Sequence, residues 1–244
     1  MKITALHQGV FNVDKQKNFL LKTPGSVSQP NMLTMGISPF LIETKNELLL
    51  LDTGLELFDN NESWLNSKLS ALGFQKENVT KILLSHLHKD HIGGIGQIQN
   101  QQLALNFPSA KIYIQRREMN FALKQGENPS YIIPLLDALS RSENVVFLED
   151  DEGKISDEIR FEVTGGHSPF HQVFWITEHG ETTFYGADDL PQVGYLKYHI
   201  AYKTDFDGKK ALSMRNKWQR EALESDWTVL FYHNLGESVL KLTH

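Results

Sequence analysis

Six residues, His86-Leu87-His88-Lys89-Asp90-His91, constrain this chain more than any other stretch of it. They place three imidazoles and a carboxylate one residue after the apolar run Ile82-Leu83-Leu84 and ahead of Gly93-Gly94. Packing does not explain a buried strand that ends in four metal-competent side chains. Residues two apart on an extended segment project to the same side, so His86 and His88 point together. Asp90 and His91 follow where the chain turns toward the glycines and approach from another direction. One segment can therefore serve two adjacent metal ions. The plain alternative is a solvated, His-rich loop, but further His and Asp residues stand at matching places downstream.

Those places are strand ends. Phe40–Thr44 and Glu47–Leu51 read as a hairpin about Lys45-Asn46, and the second arm runs into Asp52. Arg160–Thr164 leads to Gly165-Gly166-His167. Val173–Ile176 and Thr182–Tyr185 flank a Glu178-His179-Gly180 turn and lead to Asp188-Asp189. Trp227–Tyr232 ends at His233. Asp52, His86, His167, Asp188 and His233 thus each follow an apolar strand, which implies a common rim where they meet. Between the strands, Asp59–Gly73 is expected to be an amphipathic helix capped by Gly73. Helices are also expected over Arg116–Lys124, from Asn128-Pro129-Ser130 through Leu139, and over Lys209–Glu224. The Gln-rich segment Gly96–Asn106 reads as loop and helix near the site. Ser26–Pro30 reads as a polar loop, and Glu149–Gly153 as a solvated acidic turn rather than a calcium loop.

Composition narrows the chemistry. None of the 244 residues is cysteine, which removes disulfides, thiolate sites and cysteine nucleophiles and leaves His and carboxylate as ligands. A formal net charge of −6 argues against a nucleic-acid partner. There is no signal-peptide h-region and no run approaching the roughly 20 apolar residues of a membrane span. A cytoplasmic protein without a membrane partner is the expectation.

The motif H-x-H-x-D-H followed by Gly-Gly resembles the signature of the metallo-β-lactamase superfamily of metal-dependent hydrolases. With Gly166-His167-Ser168-Pro169-Phe170-His171-Gln172 and Ala187-Asp188-Asp189-Leu190-Pro191, the chain is similar to its lactonase and organophosphate-hydrolase branches. The resemblance implies the α/β class, a four-layer αβ/βα sandwich, and one domain over residues 1–244. Carried over by position, it puts one metal on His86, His88 and His167. A second falls on Asp90, His91 and His233, with Asp188 bridging. Of the adjacent pair, the G-D-x-L-P pattern selects Asp188 over Asp189, and strand alternation should turn the two apart. Two divalent ions are implied, zinc first, with iron, manganese or cobalt compatible with the same ligands.

The implied activity is hydrolysis of a small, neutral, ester-like substrate by a hydroxide bridging the ions, a lactone first. Asp90 doubles as the catalytic proton carrier. Phosphotriester, thioester and β-lactam hydrolysis are the alternatives, and a mono-iron oxidoreductase of the same fold is the alternative from a different class. Asp52 is read as orienting a ligand histidine, or as a turn cap. Phe170 and Tyr195 are candidate pocket walls. The lactonase branch carries a tyrosine three residues after the bridging aspartate, where this chain has Pro191, and Tyr195 is the candidate substitute. His171 is read as a hydrogen-bonded structural histidine, and His7, His179, His199 and His244 as surface or packing residues. A homodimer is compatible with the sequence, which leaves the oligomeric state open.

Overall fold

The computed structural model describes residues 1–23, 25, 31–59 and 62–243. The polar loop expected over Ser26–Pro30 and the assignment of His244 lie outside the described residues. Two six-stranded sheets form the centre. The first orders Lys2–Ala5, Phe40–Glu43, Leu48–Leu51, Lys81–Leu83, Lys111–Gln115 and Val145–Leu148. Its last four strands run parallel. The second orders Glu152–Lys154, Ile159–Val163, Gln172–Glu178, Glu181–Tyr185, Thr228–Leu230 and Val239–Lys241.

Side-chain alternation explains the layering. The four leucines of Leu48–Leu51 are all buried because both faces of the strand are covered. Leu49 and Leu51 meet Phe174, Ile176 and Leu230 between the sheets. Leu48 and Leu50 face Leu65, Leu69 and Leu136 of the outer helices. In the second sheet Val173, Trp175 and Phe184 turn outward onto Trp218 and Ala222 of the helix Gly208–Glu224. Its buried residues Ala211, Arg215, Trp218 and Ala222 recur at helical spacing. The result is the expected αβ/βα sandwich in four layers. No helix among the described residues is long and apolar enough to cross a membrane.

Three expectations shift. The helix expected over Asp59–Gly73 covers only Trp64–Ala71, because Phe58–Asp59 pairs with Glu62–Ser63 in a small hairpin. Its C-terminus does close on Gly73, at φ +86°, with Gly73 N–H donating to Ser70 and Phe74 N–H to Leu69. The Gln-rich stretch is neither loop nor helix but a hairpin, Gly96–Gln99 with Gln102–Leu105. Its two turn residues, Asn100 and Gln101, both take positive φ, so no glycine marked the turn. The acidic run ends as an edge strand, Glu152–Lys154, rather than a free turn.

A third, smaller sheet orders Phe19–Leu21, Gly9–Val13 and Leu33–Ile37. It forms one wall of the cleft described next.

Candidate metal centre

Strand ends from both sheets deliver the candidate ligands to one place. His86 follows the strand Lys81–Leu83, and His88 to His91 form a loop and the short helix Lys89–Ile92. A Cβ on Gly94 would stand 2.2 Å from the Thr53 carbonyl oxygen, so only glycine lets the 3-10 turn Gly93–Ile95 that follows this helix pack onto the Asp52 loop. His167, Asp188 and His233 arrive after Ile159–Val163, Glu181–Tyr185 and Thr228–Leu230. Asp188 and Asp189 do diverge, although strand alternation is not the cause: Ala187–Asp189 is a 3-10 turn entered with Ala187 at φ +43°.

The structure brings all seven predicted ligands together. His86 Nε2 lies 2.9 Å from His88 Nδ1, which lies 3.2 Å from His167 Nε2. Asp188 Oδ2 faces this group, 3.2 Å from His167 Nε2 and 4.0 Å from His86 Nε2. Asp188 Oδ1 faces the other group, 3.2 Å from His91 Nε2 and 3.0 Å from His233 Nε2. Asp90 Oδ2 completes that group at 3.8 and 3.6 Å from the same two nitrogens. Ligands about 2.0–2.2 Å from a tetrahedral ion stand roughly 3.3–3.6 Å from one another, and these separations bracket that value. His91 Nε2 and Asp188 Oδ1 are buried, yet neither completes a hydrogen bond among the described residues. The donor set is nitrogen-rich with two carboxylates, and it fits two divalent cations sharing Asp188.

The imidazoles are held from behind. His91 Nδ1 lies 2.7 Å from Asp52 Oδ2, and the Ser85 backbone N–H and hydroxyl donate to the same carboxylate at 2.8 and 2.7 Å. The Tyr185 hydroxyl donates to it as well. Asp52 itself sits at φ +53° and is fully buried. His167 Nδ1 lies 2.8 Å from Asp205 Oδ1, and His233 Nδ1 donates to the Gly36 carbonyl at 2.8 Å. His86 Nδ1 meets Ser85 Oγ at 3.1 Å. These contacts turn Nε2 of four histidines inward and fix their tautomers. Asp205, Tyr185 and Gly36 were not singled out in the sequence.

Burial and the neighbouring imidazoles push His86 and His88 well below the usual histidine range, which keeps them in the neutral form a metal requires. His91 moves the other way: burial opposes its charge, but Asp188, Asp52 and Asp90 outweigh that and raise it well above the usual range. Burial likewise opposes charge on Asp188, but His233, His91 and His167 hold it well below the carboxylate range.

Behind the centre, Asp189 is fully buried, accepts the His167 backbone N–H at 2.7 Å and lies 3.2 Å from His171 Nδ1. A Cβ on Gly166 would meet Asp189 Oδ1 at 2.3 Å. His171 is fully buried, with Thr164 Oγ1 3.2 Å from its Nδ1. Glu118, also missed in the sequence, accepts the Ser168 hydroxyl at 2.9 Å and the Phe170 N–H at 3.3 Å. Phe170 is therefore turned toward Arg117, whose guanidinium lies 5.0 Å over its ring, and it does not line the cleft. Tyr195 and Pro191 do. His7, His179 and His199 take no part in the candidate ligand groups among the described residues.

The family model of the metallo-beta-lactamase superfamily matches residues 34–213. The chain belongs to the metallo-beta-lactamase superfamily. It is accordingly a metal-dependent hydrolase. Among its relatives is the N-acyl homoserine lactonase AiiA of Bacillus thuringiensis subsp. kurstaki, 26% identical over 240 residues, covering 88% of this chain and 86% of that one. A probable metal-dependent hydrolase from Staphylococcus aureus superposes with a TM-score of 0.81 at 18% identity, over 100% of this chain and 94% of that one. The dizinc quorum-quenching lactonase AidC, solved with a product, superposes with a TM-score of 0.74 at 25% identity, over 98% and 89% of the two chains. Superfamily membership, the dizinc neighbour and the donor sets together support divalent metal ions at this site.

Proposed function

We propose that the chain is a two-metal hydrolase of a small ester-like substrate, a lactone first. The observation that carries this is Asp188, whose two carboxylate oxygens face two separate sets of ligands. The lactonases among its relatives and structural neighbours support the choice of bond. His86, His88, His167 and Asp188 Oδ2 would hold one ion; Asp90, His91, His233 and Asp188 Oδ1 the other. Zinc suits this donor set best. Such a pair supplies an activated water and Lewis-acid polarisation of the scissile carbonyl.

The chain's own groups do the rest. Asp90 lines the cleft, and its carboxylate takes the proton from the attacking water and delivers it to the leaving oxygen. Burial first, and the Asp205 charge second, push the Tyr195 hydroxyl up to about 12, so it remains a donor. It lines the cleft with Asp188 and His233 and donates to the substrate's developing oxyanion, the part Pro191 has no hydrogen to play. Pro191 instead accepts the His233 backbone N–H at 2.9 Å and so helps set that ligand.

Elemental analysis should find two ions per chain, and the zinc-loaded protein should open acyl-lactones with release of one proton. Asp90→Asn should cut kcat by about a hundredfold or more. One tightly bound ion, or clear turnover of a β-lactam or thioester with none of any lactone or phosphotriester, would overturn this reading.

A further inference from the structure

The cleft above the metal centre encloses about 490 Å³. Its outer wall comes from the small three-stranded sheet and the turn after Gly9–Val13. Phe19, Leu33 and Met35 give this wall an apolar surface, and Lys15, Lys17 and Lys89 bring three ammonium groups to it. Lys89 Nζ stands 5.8 Å over the Phe19 ring. Lys17 lies near enough to Lys89 for their two charges to repel. The ion-paired lysines among the described residues are Lys81 and Lys217, and none of these three is among them. Two acids stand beside them, Asp14 and Asp90. Asp14 is bound by Asn18 through its N–H at 2.9 Å and its side-chain amide at 2.8 Å, and Asp90 is turned to His91 and His233. Lys17, Lys89 and Phe19 also border a second, open hollow, so they form a ridge between two concavities rather than a flat surface. Positive charge gathered here runs against a molecule of net charge −6.

We propose that this wall is an anion subsite: the substrate carries a carboxylate, separated by a short apolar spacer from the bond that is cleaved. The proposal rests on the hydrolase reading above and narrows it, replacing the neutral substrate expected from sequence with an acidic one. The apolar residues face the spacer and the lysines take the charge. Lysine suits this role as a point charge on a flexible stem that does not demand one ligand geometry.

The test compares mono(4-nitrophenyl) adipate with its methyl ester on the metal-loaded protein, two compounds with one leaving group that differ by one charge. The acid should be preferred about fivefold in kcat/KM, expressed in KM, which is what a partly screened ion pair provides. The preference should shrink as salt rises. Lys17→Gln should bring the ratio within about twofold of one, and Lys17→Arg should keep it. Lys17 is exposed on a turn, so neither change threatens folding. The corresponding non-hydrolysable amides, titrated calorimetrically, should show the same difference in Kd. Equal KM values for the two esters, or a preference that survives in Lys17→Gln, would overturn the subsite and leave the hydrolase reading standing. Tighter binding of the anionic amide with hydrolysis of neither ester would support the subsite and count against an open-chain ester as the bond that is cleaved.

Discussion

On the floor of the cleft, His86, His91, His167 and His233 each have the nitrogen that faces away from the centre held by a named partner: Ser85, Asp52, Asp205 and the Gly36 carbonyl. On the outer wall, Lys15 and Lys17 stand exposed on a turn and make no ion pair among the described residues. The floor is buried or half-buried and draws on both sheets; the wall comes from the small three-stranded sheet. A site that must place two cations tolerates little positional error, whereas one that recognises a distal charge on a flexible substrate needs only its sign nearby. On the two proposals above, chemistry and selectivity would be carried by different parts of the molecule, and substitutions should separate them.

The largest effect should come from the floor's shared carboxylate. Asp188→Ala should lose at least one ion per chain by elemental analysis and roughly a thousandfold in kcat/KM while leaving the fold intact by circular dichroism. Its neighbour should behave in the opposite way. Asp189→Asn should keep two ions but unfold with about 3 kcal/mol less stability in denaturant, because it removes the charge of a buried pair with His171. If Asp189→Asn emptied the site and Asp188→Ala did not, the floor would be built on the wrong aspartate.

Next come the groups behind the ligands. Asp52→Asn and Asp205→Asn should each weaken metal affinity about 10- to 100-fold in a chelator competition. Asp52 should lie at the upper end, since it orients His91 and also gathers Ser85 and Tyr185. The smallest change should be at the border between floor and wall. Tyr195→Phe should lower kcat about tenfold with KM within about twofold, the signature of a donor used in the transition state. A change confined to KM would move Tyr195 to the wall.

The same division explains what could be read from the sequence. The strands were legible because burial on both faces writes continuous apolar runs such as Leu48–Leu51, and the candidate ligands stood out because each breaks such a run at its end. Their supports left no comparable mark. Asp205 lies in an irregular stretch with no periodicity to set it off, Tyr185 reads as one more strand aromatic, and Glu118 as one more helical charge, although all three are drawn into contacts that span long separations in sequence. Phe170 was misplaced for the same reason: adjacency to His167 suggested the cleft, and the buried Glu118, which binds its backbone, turned it away. The hairpin Gly96–Leu105 was missed because Asn100-Gln101 adopts the left-handed turn without glycine.

Where the ligands come from has a consequence beyond catalysis. His86 to His91 hang from the first sheet, and His167, Asp188 and His233 from the second, so each ion would tie together chain positions about eighty or more residues apart. In a chain without cysteine, such ties are the only cross-links on offer, and unlike disulfides they open with a chelator rather than a reductant. Each closes a long loop in the unfolded ensemble. Metal supply would then govern the lifetime of the protein as well as its turnover: without metal its two halves would part more readily and lie open to proteases.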